Sequence, residues 1–421
     1  MRAKSVPHML ATGTFRFRIL LLTCMAVFFV VGPQQALAET SWSATELATL
    51  RSLALENLPA RPEDPSNRFA SSQKAAQFGK MLFFDTRLSA NGEVACFTCH
   101  RPDYSFTDDL PMAQGMSTTP RRSMPLLGMA YQDWYFWDGH KDSLWAQALA
   151  PPENPLEHGF SRTACVLLVY EHYRKDYKAI FGPLPKMNPG ECSPLARPDP
   201  QDPVAYAAWM AMPEEKRAAI TSIYVNLGKA IAAYVRTLTP TEARFDRYVA
   251  SIDAEGQPAE EIFSPAEEHG LKLFIGKAGC INCHNGPLLT NGDFHPTIVP
   301  DATDLGRATG IPKVLNDEFS CLSRHSDADP ETDCAHVRFI NDDTSLFRHA
   351  FKTPSLRNVA ARPPYMHAGQ FKTLDEVLKA YRFASQKGEL ADMVHGNLAD
   401  SELAQLEAFL QTLNAPIVEI P

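Results

Sequence analysis

The chain has 421 residues, with 40 Lys and Arg against 49 Asp and Glu, a net charge of −9. An acidic balance of this kind argues against a nucleic-acid binder that works by neutralising phosphates. A basic redox partner or a neutral small substrate suits it better, and the length suits two domains better than one simple core.

Residues 1–38 read as a leader. Arg2, Lys4, Arg16 and Arg18 give a basic start without an acidic residue, and Ile19 to Gly32 is an apolar run of 14 residues. Ala36-Leu37-Ala38 then fits a small-x-small cleavage site before Glu39. The run is shorter than the roughly 20 apolar residues a spanning helix needs. The expectation is a cleaved signal peptide, an exported product and no membrane span after cleavage. Cleavage would leave 36 basic against 49 acidic residues, a charge of −13.

Further along, Cys96-Phe97-Thr98-Cys99-His100 is a CxxCH motif. Long Pro-rich stretches follow around 102–125, 150–160 and 183–214. Residues 214–238 place Ala218, Ile220, Ile223, Tyr224, Leu227, Ala230, Ile231, Tyr234, Val235 and Leu238 on one helical stripe, with Pro240 as a stop. Ser264-Pro265-Ala266-Glu267 is a capping box that opens a helix to about Gly276. A second CxxCH, Cys280-Ile281-Asn282-Cys283-His284, follows 184 residues after the first. Each motif is preceded by a Gly-Lys segment, 79–84 and 273–277. Thr373-Leu374-Asp375-Glu376 caps a further helix to about Ala384, and Asp400 to Leu413 forms the last, with Leu403, Leu406, Phe409, Leu410 and Leu413 inward. Strand signals are few. The expected fold is mainly α, two cytochrome-c-like helical domains over residues 39–255 and 256–421 with long Pro-rich loops.

In CxxCH each thiol can add to one vinyl group of a haem, and the adjacent His becomes the proximal iron ligand. Two such motifs behind an export signal predict two covalently bound c-type haems, held by Cys96, Cys99 and His100 and by Cys280, Cys283 and His284. A redox dithiol or half a zinc site is the rival for one motif and a poor one for two. Of the nine cysteines, Cys24 lies in the leader and four serve the motifs, leaving Cys165, Cys192, Cys321 and Cys334. In an oxidising compartment an even remainder predicts disulfides. Pairing Cys165 with Cys192 and Cys321 with Cys334 is the simplest of three connectivities.

Several stretches together resemble the dihaem cytochrome c peroxidase family, and within it the MauG-like branch. They are Gly79 to Asp85 with Arg87-Leu88-Ser89; Phe136-Trp137-Asp138-Gly139; Asn154-Pro155-Leu156-Glu157; Asp304 to Arg307; Phe351 to Val359; and Pro364-Tyr365-Met366-His367-Ala368-Gly369. The resemblance runs over roughly 70–415. It implies a periplasmic enzyme that uses hydrogen peroxide to reach a high-valent dihaem state and then oxidises a Trp or Tyr of a partner protein by hole transfer. The disulfide loops resemble those of a methanobactin-associated subgroup. A peroxidase fed by a small electron donor, and a non-enzymatic electron carrier, are the alternatives.

The resemblance also assigns roles. Sixth-ligand candidates at the second haem are Met366, His367 and Tyr381. MauG-like proteins have Tyr within the helix after the Pro-Tyr-x-His-x-Gly motif, which selects Tyr381, inward on the stripe of Leu374, Val377 and Leu378. At the first haem the family's peroxidases carry a loop His. No His lies between His100 and His140, so this iron is expected to be open, with Met112 and Met116 as the only substitutes in the loop. Glu157 matches the catalytic acid–base, Gln147 a distal amide, Pro151 a pocket wall and Trp137 the tryptophan between the haems. A calcium ion is implied at the Arg362 and Pro364 carbonyls, with Ser123 where the family has Asn. MauG passes holes through a Trp two residues before the second CxxCH, but Ala278 stands there, so its methylamine dehydrogenase substrate is not implied. Trp134, Trp145 and Trp209 remain as exit candidates.

Overall fold

Two glycines allow close helix crossings. The computed structural model describes residues 41–259, 261–296, 303–386 and 397–416; the leader at 1–38, with Cys24, lies outside them. The described helices in chain order are α1 Ala44–Leu53, α2 Gln73–Phe83, α3 Cys96–Cys99, α4 Leu144–Glu153, α5 Arg162–His172, α6 Arg174–Phe181 and α7 Pro203–Met210. They continue as α8 Glu214–Val235, α9 Arg244–Ser251, α10 Pro265–Ile275, α11 Arg307–Leu315, α12 Ala335–Arg338, α13 Leu374–Gln386 and α14 Asp400–Gln411. Strand β1, Phe294–Pro296, pairs antiparallel with β2, Ala350–Lys352, with Phe294 opposite Lys352. The fold is mainly α, as the sequence predicts.

In the first apolar core, Phe78, Leu82 and Phe83 of α2 meet Ile223, Leu227, Ile231 and Tyr234 of α8, with Trp145 and Leu149 of α4. A Cβ on Gly79 would lie 1.9 Å from the Ala230 carbonyl oxygen. Only Gly lets the two backbones approach so closely. In the second core, Leu271 and Phe274 of α10 pack on Leu406, Phe409 and Leu410 of α14. Here Gly270 is the contact, its Cβ position 1.9 Å from the Gln405 carbonyl. The counterpart of Gly79 is therefore Gly270, inside the helix, and not the Gly276 of the second Gly-Lys segment, which caps that helix.

The second core also takes Trp42, Leu47, Leu50 and Leu53 from around α1, and Phe245, Tyr248 and Val249 from α9. The second apolar cluster thus also draws side chains from positions 42–54 and 245–252. The buried ion pair of Arg357 Nη1 with Asp246 Oδ2, at 2.6 Å, ties α9 to the loop before α13. Asp246 also accepts the Leu55 N–H at 2.8 Å and so holds the end of α1.

Helix α8 differs from its predicted stripe. From Ile220 to Val235 nearly every residue is buried, including Thr221, Gly228 and Lys229, while Ala218 is exposed. Helices α2, α4 and α5 cover it, and Lys229 Nζ is satisfied by the His325 carbonyl at 2.8 Å and Asp327 at 2.6 Å. Its length and apolarity would suit a membrane span, but it is the centre of a core. Both predicted capping boxes form: Ser264 N–H donates to Glu267 at 2.7 Å, and Glu376 N–H donates to Thr373 Oγ1 at 3.2 Å.

One of the two simplest disulfides forms. Cys321 and Cys334 are bonded with Cα atoms 5.6 Å apart. Cys165 and Cys192 are free and buried in the first core, which corrects that pairing. There they act as small apolar residues, a usual role for buried free Cys. The Cys321–Cys334 bond, Val337 and Trp134 make a small separate cluster, so the crosslink replaces a core that the segment is too short to build. Changing both Cys321 and Cys334 to Ser is expected to cost about 3 kcal/mol, the loop-closure value for a loop near 15 residues. Urea unfolding with limited proteolysis of residues 316–347 measures it.

Candidate functional site

Each CxxCH motif folds into a single turn. Cys96–Cys99 is one turn of α-helix, and Cys280–Asn282 is one turn of 3-10 helix that delivers Cys283. All four thiols and both His side chains are only partly buried, so they face open ground on one side. His100 Nδ1 is hydrogen-bonded to the Phe106 carbonyl at 3.0 Å, and His284 Nδ1 to the Leu289 carbonyl at 3.1 Å. A carbonyl can only accept, so Nδ1 carries the proton and Nε2 keeps its lone pair for a metal. Phe106 and Leu289 reach these positions through left-handed backbone, φ +56° and +53°. Desolvation holds both imidazoles neutral, His284 down to about 4.

The thiols behave differently from a redox dithiol. Burial pushes Cys96, Cys99 and Cys280 up to about 12, whereas reactive dithiols need lowered values. Haem fits this donor set. When bound it would also bring anionic groups to a region with two buried cations, where Arg122 Nη1 and Arg362 Nε have no hydrogen-bond partner. Haem propionates are the anions that would meet them. Burial first, and then the neighbouring Arg122, lowers the Arg362 guanidinium, and Arg362 in turn adds to the burial that lowers His284. Sequence reading missed these guanidinium roles, since nothing local marks an Arg as buried.

The calcium site does not fit. Ser123 Oγ stands 3.3 Å from Thr107 Oγ1, and the Ser123 carbonyl accepts from the same hydroxyl at 2.8 Å. No carboxylate is among the expected ligands, while the Arg122 and Arg362 guanidiniums are neighbours. Calcium prefers several oxygens, with carboxylates among them.

The residues expected on the distal side of the first site, Gln147, Pro151 and Glu157, lie on α4 and the turn after it. Ser143 Oγ caps α4. Leu144, Trp145, Ala148, Leu149 and Pro152 face the core, whereas Gln147, Pro151 and Asn154, at i, i+4 and i+7, share the partly exposed face. Pro155 keeps Asn154 out of helical geometry, at φ −75° and ψ 121°. Asn154 then organises the turn: its Oδ1 accepts from Leu156 N at 3.0 Å and its Nδ2 donates to Glu157 Oε1 at 2.6 Å. Burial raises the Glu157 carboxyl above the ordinary range despite that hydrogen bond, and its charge is felt by Cys96 and Cys99. The loop with Met112 and Met116 is clamped to the same turn through Met116 N to the Glu157 carbonyl at 2.8 Å. Both Met side chains are exposed, and Met116 packs near Gly159.

At the second site Tyr381 lies on α13 beside the haem cysteines: burial first, then Cys283 and Cys280, push its hydroxyl up to about 12. His367 is engaged elsewhere. It is 2% exposed, stacks on Phe351 at 3.8 Å, and contacts Gln370 Nε2 at 3.2 Å. Trp137 is buried. Its Nε1 donates to the Arg122 carbonyl at 2.9 Å and its carbonyl accepts from Lys352 N at 2.8 Å.

A repeat at an offset of 230 relates the two sites. Bridge Tyr135–Lys141 matches Tyr365–Phe371, the left-handed residues Phe136 and Gly139 match Met366 and Gly369, and α4 from Leu144 matches α13 from Leu374. Trp137 then corresponds to His367, and Pro151 to Tyr381. The signal is present in the sequence as Tyr-x3-Gly-x3-Ser/Thr-Leu at 135–144 and 365–374, away from the Gly-Lys segments before each CxxCH.

A family model described as di-haem cytochrome c peroxidase matches residues 73–254. The methylamine utilization protein MauG of Methylorubrum extorquens is 31% identical over 398 residues, covering 92% of this chain and 92% of its own length. The cytochrome c551 peroxidase of Pseudomonas aeruginosa is 26% identical over 83% of this chain and 82% of its own. Among solved structures, the diheme peroxidase BthA of Burkholderia thailandensis has a TM-score of 0.59 at 20% identity, covering 84% of this chain and 89% of that one. A MauG-like protein associated with microbial copper homeostasis has 0.56 at 23%, covering 85% and 95%. These two likenesses show a shared fold.

Proposed function

Because the chain belongs to the dihaem cytochrome c peroxidase and MauG family of haem-dependent oxidoreductases, we propose that it is a periplasmic MauG-type enzyme that uses hydrogen peroxide to oxidise a Trp or Tyr of a partner protein. The observation that carries this reading is the asymmetry at one repeated position. Pro151 has no side-chain donor for iron, whereas Tyr381 has a phenol oxygen beside Cys280 and Cys283. One site is thereby left accessible and the other closed.

The haems, when bound, would supply the redox chemistry. The chain's residues supply the rest. Cleaving the O–O bond requires a proton to be taken from one peroxide oxygen and returned to the other. Glu157 is placed for that, and Asn154 fixes its orientation. Trp137, held at both its indole N–H and its carbonyl, is a fixed relay between the sites. Tyr381 would give up its phenol proton on ligating the second iron, and the resulting anionic oxygen would favour oxidised iron.

The ferric absorption and electron paramagnetic resonance spectra test this. The expected result is one high-spin haem and one low-spin haem without the sulfur-to-iron charge-transfer band of Met ligation. Peroxide should react with the fully ferric protein. Two low-spin haems would reduce the protein to an electron carrier. A reaction seen only after one-electron reduction would favour a peroxidase fed by a small donor.

A further inference from the structure

Four of the five tryptophans are closed off from solvent: Trp42 is 3% exposed, Trp137 8%, Trp145 0% and Trp209 5%. Trp134 alone is partly exposed. It stands three residues before Trp137, so their Cα atoms are at most about 11 Å apart, the reach of three trans peptides. One buried residue holds both: Lys352 Nζ donates to the Trp134 carbonyl at 2.8 Å, and Lys352 N donates to the Trp137 carbonyl at 2.8 Å. The Trp134 ring is fixed as well. The Arg307 guanidinium lies 4.2 Å from its ring centroid, and His336 meets it edge-on at 5.5 Å. Ala278, where the sequence resemblance would look for an exit tryptophan, is 5% exposed and has no oxidisable side chain.

We propose that Trp134 is the residue through which electrons enter from an external donor to reach Trp137. This rests on the peroxide-driven oxidation proposed above. For each hydrogen peroxide, two electrons pass inward one after the other, two protons come from solvent, and two waters form. In each passage the Trp134 indole gives one electron to Trp137, sheds its Nε1 proton to water, and recovers both from the donor side. Arg307 over the ring makes a positive indole costly. The hole therefore passes through Trp134 and does not rest there.

The test uses haem-loaded Trp134→Phe, Trp134→Tyr and, as a control, Trp209→Phe, with ferrocytochrome c as the donor probe. A second readout is peptide mass mapping of self-oxidation after peroxide without donor. In Trp134→Phe the peroxide-induced spectral change should keep its rate, while probe oxidation falls about tenfold or more, as expected for loss of a group acting in the transfer step. Trp134→Tyr should recover much of that loss, because a phenol can also relay an electron. Without a donor the hole cannot be refilled from outside, so mapping of the parent protein should then place tryptophan oxidation at Trp134. Unchanged probe oxidation in Trp134→Phe, with oxidation mapped to other tryptophans, overturns the exit alone. Failure of the ferric parent to react with peroxide overturns the functional reading and this proposal with it.

Discussion

Replacing Glu157 by Gln is expected to slow peroxide cleavage by about 10²–10⁴-fold, the usual size of a general acid–base contribution. That factor is about 3–5 kcal/mol in barrier. The variant keeps the shape and the hydrogen bond that Asn154 Nδ2 makes at 2.6 Å to Oε1, so the turn should survive. What it loses is the capacity to accept a proton. The pH dependence follows from the same carboxyl. Desolvation raises it above the ordinary Glu range, and only the deprotonated form can act as the base. The rate of the parent protein should therefore fall as pH drops through that raised value, at a higher pH than for a solvated Glu. The Gln variant should lack this acid limb. Stopped-flow mixing of ferric protein with peroxide across pH measures both. A near-parental rate would remove Glu157 from the chemistry.

The largest change in character is expected from Tyr381→Met. Met is unbranched and flexible enough to reach where the phenol reaches, and its soft sulfur suits haem iron. A sulfur-to-iron charge-transfer band should appear in the ferric spectrum. The potential of the second haem should rise by a sizeable part of the roughly 0.8 V that axial ligands span. Oxidation of a partner should be lost, and reaction with peroxide should come to need prior reduction, as in a peroxidase fed by a small donor. Tyr381→Phe is the companion variant: it removes the oxygen and adds no new ligand, so the low-spin signal should disappear. Spectroelectrochemical titration reads both. A spectrum unchanged in either variant would place another ligand on that iron and remove the asymmetry on which the functional reading stands.

The attachment sites were legible because their chemistry is local. Two thiols and a His within five residues must fold into one turn to meet one porphyrin, and both motifs do. The capping boxes at Ser264 and Thr373 were legible for the same reason, since donor and acceptor are three residues apart. Glu157 was legible as a residue, but its partner Asn154 was not singled out, although Asx turns of this kind have a sequence signature. The Cys165–Cys192 pairing failed because an even count of cysteines says nothing about which of them the core will absorb.

The sequence by itself determined the two CxxCH motifs, the helical class and the positions of the candidate acid and ligand, because each depends on covalent spacing or on neighbours within a helical turn. Only the tertiary structure decided that α8 is buried nearly all round from Ile220 to Val235, that Gly270 is the counterpart of Gly79, that Pro151 and Tyr381 occupy one repeated position, and that Trp134 alone of the tryptophans reaches solvent. These are matters of burial and alignment. They are set by segments up to hundreds of residues apart packing together, and no local pattern encodes which of several similar side chains that packing leaves exposed.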